Sequence, residues 1–268
     1  MPENNHTFKG RVAIVTGAGS GIGKAIALDF LKAGAQVAGL GRRAATAGSL
    51  REFREYGEQF LWVRADVSRE AQVGRAVKRV LQKFGHIDFL INNAGRRGPT
   101  APVESLSTSD WHKVLETNLT GAFLAARECV KAMASRKQGR IINISSMAGR
   151  VAYPFRASYA ASKWGLIGFT LTLAQETGPH NILVNAVCPG PVEGEAIDEV
   201  IEARAKALRL PIRKMREQFV GSTALGRMVT AEDVSDTVLF LCTDRARSIT
   251  GQVIDVSAGY GLMQKSAR

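Results

Sequence analysis

The stretch RVAIVTGAGSGIGKAIALDFLKA, residues 11–33, decides how the rest of the chain is read. Residues 11–16 (RVAIVT) are a β-branched apolar run suited to a strand buried on both faces. Residues 21–33 carry apolar side chains at helical spacing, and Gly34 stands where a C-terminal cap belongs. Between them lies TGAGSGIG, from Thr16 to Gly23. Gly17, Gly21 and Gly23 permit a tight turn and a close approach of backbone to a pyrophosphate. The helix N-terminus adds free N–H groups and the positive end of a dipole. The spacing Gly-x-x-x-Gly-x-Gly sits at a strand-to-helix junction, as a phosphate-binding loop requires. Ser20 and Ile22 belong to the same loop and join the three glycines as candidate cofactor-binding residues.

Outward from this unit the pattern repeats. Strand-like runs occur at 36–41, 60–64, 86–91, 140–145, 182–187 and 252–257. Helix-like runs occur at 69–84, 109–135, 157–178 and 231–242, with Ser107 or Ser109 as N-cap of the second. Pro189-Gly190 is expected to stop the strand at 182–187. Residues 195–219 read as polar helix broken at Pro211. About seven strands alternating with helices imply an α/β fold: a doubly wound, Rossmann-type parallel sheet with helices on both faces. No linker or repeat divides the chain, so residues 1–268 are expected to be one domain, with 191–230 an excursion over the active-site edge.

Composition removes several alternatives. The three cysteines, Cys129, Cys188 and Cys242, are scattered in apolar sequence, and no CxxC pair or His/Cys cluster suggests zinc. They read as buried thiols, and no metal is expected. There is no secretory h-region and no apolar run long enough to span a membrane, which points to a cytoplasmic protein. The net charge of +12 invites a nucleic-acid reading, but no zinc finger, RNA-recognition signature or basic-aromatic platform accompanies it.

The second strand ends in Gly41-Arg42-Arg43, where an NAD-binding unit would place an acid for the ribose 2′-OH. Arg42 and Arg43 suit a 2′-phosphate instead, which favours NADP(H) over NAD(H). Further on stands Tyr159-Ala-Ala-Ser-Lys163. Residues four apart share a helix face, so a phenol lies beside an ammonium. A nearby cation favours the phenolate, and a tuned phenol can exchange a proton with a carbonyl or alcohol oxygen.

TGxxxGxG, NNAG (92–95), the serines Ser145-Ser146 and YxxxK occur in that order. Together they resemble the short-chain dehydrogenase/reductase family from about Lys9 to Gly259. The resemblance implies an NAD(P)(H)-dependent oxidoreductase acting on a ketone or secondary alcohol. It implies that Ser146, rather than Ser145, hydrogen-bonds the reacting oxygen and that Tyr159 is the acid/base. Lys163 would lower the tyrosine pKa and hold the nicotinamide ribose, and Asn118 would hold a water in the proton relay. Asp66 and Val67 would lie near the adenine. Asn92 and Ala94 would lie at the ribose, with Asn93 and Gly95 also in the cofactor site. Val187, Pro189, Gly190 and Val192 would flank the carboxamide. Two departures stand out: Gly194 replaces a threonine that contacts the carboxamide, with Glu193 as a substitute, and Val256-Ser-Ala-Gly259 replaces VDGG.

The substrate pocket is expected from residues 96–97, 147–155 and the segment after Pro189, which carries Arg204, Lys206, Arg209, Arg213, Lys214 and Arg216. These cations raise the expectation of an anionic substrate clamped by Arg96, Arg97 or Arg156, against the alternative of a solvated amphipathic helix. The resemblance also implies a homo-oligomer, a tetramer, built on the helices at 109–135 and 157–178. Two other readings stay open: an NAD-dependent dehydrogenase of a sugar or hydroxy acid, and a cofactor-sensing or nucleic-acid-binding protein without catalysis. The second would need the glycine loop but not Asn118, Ser146, Tyr159 and Lys163.

Overall fold

A computed structural model describes residues 7–43 and 50–262. Its strands are β1 (Val12–Thr16), β2 (Gln36–Gly41), β3 (Phe60–Arg64), β4 (Phe89–Asn92), β5 (Gly139–Ile144), β6 (Ile182–Pro189) and β7 (Val253–Val256). They form one parallel sheet in the order β3-β2-β1-β4-β5-β6-β7. The chain winds outward from β1 through β2 to β3, then restarts beside β1 with β4. The crevice at that reversal is where a doubly wound sheet binds ligands.

Alternation along β1 builds both layers of core. Val12 and Ile14 point into a cluster formed with α2 (Glu70–Phe84), α4 (Gly121–Arg136) and α5 (Ala157–Thr177). Ala13 and Val15 point the other way, toward α1 (Gly21–Lys32) and α8 (Ala231–Cys242). Phe8, Phe30 and Phe89 anchor that second layer with ring centroids 5.2–5.4 Å apart. Each buried phenyl contributes about 2 kcal/mol from area removed from water. Cys129, Cys188 and Cys242 are free and buried.

Several element limits differ from the sequence expectation, for local reasons. The helix expected at 109–135 begins one residue earlier, as α3 (Thr108–Leu115), because Ser107 Oγ caps it by accepting the Asp110 N–H at 3.0 Å. It then passes through a π-type turn, Glu116–Thr120, before continuing as α4. Strand β6 runs on to Pro189 rather than stopping at Val187, because Gly190 N–H bonds the Val256 carbonyl at 2.9 Å and keeps the chain against β7. The expected polar helix at 195–219 is two amphipathic ones, α6 (Glu195–Leu208) and α7 (Ile212–Gly221), with Pro211 between them. They enclose a small core of their own, including Ile201, Met215 and Phe219. A helical segment at Arg51–Gln59 precedes β3 and was not anticipated from the sequence. No helix among the described residues is long and apolar enough to cross a membrane.

Candidate active site

The glycine loop is fixed from below by the end of β4. Thr16 Oγ1 accepts the N–H groups of Asn93 and Ala94, both at 3.0 Å. Asn93 Nδ2 in turn donates to the carbonyls of Thr16 at 2.9 Å and Gly17 at 3.3 Å. Gly17 has φ +70°, and a Cβ there would stand 2.9 Å from Asn93 Nδ2. A Cβ on Gly23 would collide with both Asn93 Nδ2 and the Gly17 carbonyl. Gly21 also has positive φ but faces open space. The glycines thus serve different ends: Gly17 and Gly23 allow close packing, and Gly21 allows conformation beside an open approach. Ser20 is extended and gives α1 no side-chain cap, so the helix presents N–H groups suited to a phosphate. Ile22 is half-buried against the core beneath.

Adjacent asparagines face opposite ways. Asn92 is buried, and its Nδ2 donates to Ala122 O at 3.2 Å and Asn143 Oδ1 at 2.9 Å. The expectation that Asn92 lines the ribose site is therefore corrected: its side chain ties β4 to β5 and α4. Asn93, Ala94 and Gly95 form the surface of the crevice instead. A Cβ on Gly95 would lie 3.6 Å from Asn118 Oδ1 and 4.0 Å from Lys163 Nζ, which joins this turn to the residues of the YxxxK helix.

At the outer end of the crevice Arg42 and Arg43 are exposed. Their carbonyls are held by Arg64 Nε at 3.2 Å and Trp62 Nε1 at 3.3 Å. The Trp62 indole lies across Gly39 and Gly41, where any side chain would strike it. Sequence reading missed Trp62, although an aromatic opposite the glycines of QVAGLG is a readable sign. Asp66 Oδ1 accepts Ser68 N–H at 3.0 Å and Ser68 Oγ–H at 2.7 Å. Burial works to raise the Asp66 pKa, but the Ser68 bonds, with Arg42 and Arg69 nearby, hold it below the usual value. Val67 turns its side chain into the core against Gly121, so only its backbone is available to a ligand.

Tyr159 and Lys163 sit one turn apart in α5. Lys163 is buried, and its Nζ donates to the Ile144 carbonyl at 2.7 Å, which leaves two N–H bonds to give. Burial pulls its pKa from 10.5 down to about 8. Burial pushes the Tyr159 phenol up, and against this work hydrogen bonding by Ser146 and the charges of Arg156 and Arg97. The expected lowering by Lys163 is therefore not the dominant effect in the polypeptide, because desolvation of the phenolate outweighs it. Two cations approach the ring: Arg156 Cζ at 5.5 Å and Lys163 Nζ at 5.7 Å from its centroid.

Ser145 and Ser146 separate in the same way as the asparagines. Ser145 is buried and donates to the Lys163 carbonyl at 3.0 Å. Ser146 is partly exposed, and its Oγ accepts Ala148 N–H at 3.1 Å, so its own proton remains to be donated. Asn118, buried in the π-type turn, accepts Arg96 N–H at 2.7 Å and donates to Arg96 O at 3.0 Å and Ser162 Oγ at 2.9 Å. It clamps the loop after β4 to α5. Gly190 packs against Ser257 with no room for a Cβ, and Val192 bridges to Val229. Gly194 has φ +125° and opens α6, which explains a glycine where a threonine was expected. Glu193 is exposed.

The sheet order, the glycine loop at its reversal and the tyrosine–lysine helix define a Rossmann-type oxidoreductase. The comparisons are specific. A family model described as enoyl-(acyl carrier protein) reductase matches residues 17–261. The chain is 37% identical over 254 residues to 3-oxoacyl-(acyl-carrier-protein) reductase FabG of Aquifex aeolicus, covering 94% of this chain and 98% of that one. An NAD+-bound xylitol dehydrogenase superposes with TM-score 0.91 at 34% identity, covering 94% and 99% of the two chains. An actinorhodin polyketide ketoreductase with NADPH superposes with TM-score 0.89 at 35% identity, covering 94% and 98%. The chain belongs to the short-chain dehydrogenase/reductase family. It is an NAD(P)(H)-dependent oxidoreductase of small-molecule carbonyl or alcohol substrates.

Proposed function

We propose that this enzyme interconverts a ketone and its secondary alcohol with NADP(H) in preference to NAD(H), and that Tyr159 exchanges the proton with the substrate oxygen. The observation that carries the reading is Tyr159 one helical turn from Lys163, with Ser146, not Ser145, turned to the open side. The residues fit a dinucleotide: uncapped N–H groups at α1, glycines a Cβ would close, and a lysine with two N–H bonds to give. Gly17, Ser20, Gly21, Ile22 and Gly23 would hold the pyrophosphate, and Arg42 and Arg43 a 2′-phosphate. Asp66 and the Val67 backbone would meet the adenine. Asn93 to Gly95 and Lys163 would hold the ribose, and Pro189, Gly190 and Val192 the carboxamide.

When bound, the nicotinamide supplies or accepts the hydride. Ser146 O–H donates to the substrate oxygen and stabilises charge developing there. Tyr159, kept protonated at neutral pH by burial, gives its proton to that oxygen in reduction. In oxidation it takes the proton back, and Arg156 and Arg97 favour the phenolate this needs. Asn118 positions the Arg96 backbone against α5, and would hold a water of the proton relay.

Relatives are divided, with NADPH in the ketoreductase and NAD+ in the xylitol dehydrogenase. The arginine pair supports NADP(H) here. Fluorescence titration with NADPH and NADH, then turnover on a panel of ketones and alcohols, tests the reading. Tighter NADH binding, or no turnover of any member, would overturn it. Exposed Phe123, Trp164 and Leu171 on α4 and α5 support a homo-oligomer, and a monomer by light scattering at micromolar concentration would contradict that. Three buried free thiols suit a reducing, cytoplasmic compartment.

A further inference from the structure

Arg156 is a buried cation without an acid. It is 4% exposed and forms the residue before α5. Its Nη1 donates to Thr100 Oγ1 at 3.0 Å, and its buried Nε has no partner. The charged and titratable groups that face it are Tyr153, Tyr159, Arg97 and Arg204, none of them a carboxylate. Arg97 is itself ion-paired with Glu199 on α6. Arg204, also on α6, stacks 4.7 Å from the Tyr153 ring centroid and 5.5 Å from that of Phe219. One Arg204 N–H reaches Pro154 O at 3.2 Å, and its Nε is likewise buried and unpartnered. Among the described residues neither guanidinium forms an ion pair with Asp or Glu.

Such a charge is costly to bury unless something pairs with it. The backbone beside it is also strained. Phe155 has φ +65°, rare for a bulky side chain, and is held there by Ala101 N–H bonding its carbonyl at 2.9 Å. Gly98 packs without room for a Cβ against Val114 and Ser158, which brings the loop at 97–100 onto the start of α5. α5 begins there with no acidic residue in its first turn and no side-chain cap. A helix start, a guanidinium whose buried Nε lacks a partner and a second arginine from the covering helix all suit one anion.

We propose that Arg156, with Arg204 beside it, binds an anionic group of the substrate, which is a short-chain oxo acid or the matching hydroxy acid. The anion adjoins the reacting carbon, because Arg156 lies 5.5 Å from the ring of Tyr159, the residue assigned to the reacting oxygen. This rests on the reading of Tyr159 given above. Arg97 is committed to Glu199, and Arg96, whose Nε is also buried without a partner, is not among the charges that face Arg156.

The test separates a clamp from a cation that merely tunes Tyr159. Calorimetry on the NADP+-loaded protein, where an oxo acid cannot be reduced, compares pyruvate, acetoacetate and levulinate with their amides. Each binding acid should be favoured over its amide by about tenfold or more. Arg156→Met should abolish the preference, Arg156→Lys should keep part of it, and Arg204→Met should reduce it. In turnover, Arg156→Met should raise KM for the acid and leave KM for the amide unchanged. Equal binding of acid and amide by the unaltered protein would overturn the proposal, as would an Arg156→Met effect confined to an equal fall in kcat on both, with KM for the acid unchanged. Should Arg156→Met fail to fold, Arg156→Lys and Arg204→Met carry the same comparison. Acid-selective binding without turnover of any carbonyl would sink the catalytic reading and leave the anion site standing. Turnover of neutral ketones with no acid preference would do the reverse.

Discussion

The two walls of the crevice meet at Tyr159 and are made differently. The glycine-loop wall is backbone against backbone: Asn93 Nδ2 bonds two carbonyls of the loop, and Gly17 and Gly23 leave no space for a methyl group. The opposite wall is made of polar and charged side chains from three distant segments: Arg97 paired with Glu199 of α6, Arg156 bonded to Thr100, and Arg204 stacked on Tyr153. One wall gains its specificity from what it excludes. The other holds two charges, Arg156 and Arg204, that no carboxylate among the described residues neutralises. The difference teaches where tolerance lies: the first wall admits one residue type per position, while the second can change its ligand by changing a side chain.

The sharpest way to break this comparison is Gly23→Ala. The added methyl must displace Asn93 or the Gly17 carbonyl, so cofactor affinity should fall by about 100-fold or more, with a stability loss of about 1–3 kcal/mol. Fluorescence titration and denaturant melts measure both, and normal binding would end the backbone account of that wall. A smaller effect is expected from Arg42→Ala combined with Arg43→Ala. Loss of charge-assisted bonds to a 2′-phosphate should weaken NADPH by about tenfold or more and leave NADH unchanged. Equal weakening of both cofactors would mean that the arginines act on the fold rather than on the phosphate.

A separate effect is a pH dependence of stability. Lys163 titrates at about 8 in the cofactor-free fold and near 10.5 when unfolded. Between those values the unfolded chain binds the extra proton, so stability rises with pH across that window and the cost of burial is felt below it. Relative to Lys163→Met, the unaltered protein should gain on the order of 3 kcal/mol across the window. Denaturant melts at a series of pH values would show it, and a constant difference would contradict it.

The backbone wall was legible in the sequence because close approach dictates glycine, and the YxxxK spacing survives because a helix fixes which residues share a face. What escaped depended on contacts between distant residues. Asn92 and Asn93 look alike in a row of letters, and only the pleat sends one to Asn143 and the other to the loop. The turn at Glu116–Thr120 shifts helical phase with no glycine or proline within it, and Gly121 at its end is accommodated in ordinary helical backbone. Arg156 stands in the sequence as one of three candidate clamps, indistinguishable from Arg96 and Arg97; its burial is created by loops that fold over it from far along the chain. The cations named from composition on α6 and α7 divide likewise: Arg204 turns inward, while Arg213 and Arg216 pair with Glu217 and Asp198 at the surface.

The central claim is that Tyr159 exchanges a proton with the substrate oxygen, and Tyr159→Phe measures it most directly. The ring and its packing remain while the hydroxyl is lost. The account predicts a fall in kcat of about 1,000-fold, with NADPH affinity changed by no more than about twofold. Turnover within a few-fold of the unaltered enzyme would contradict it.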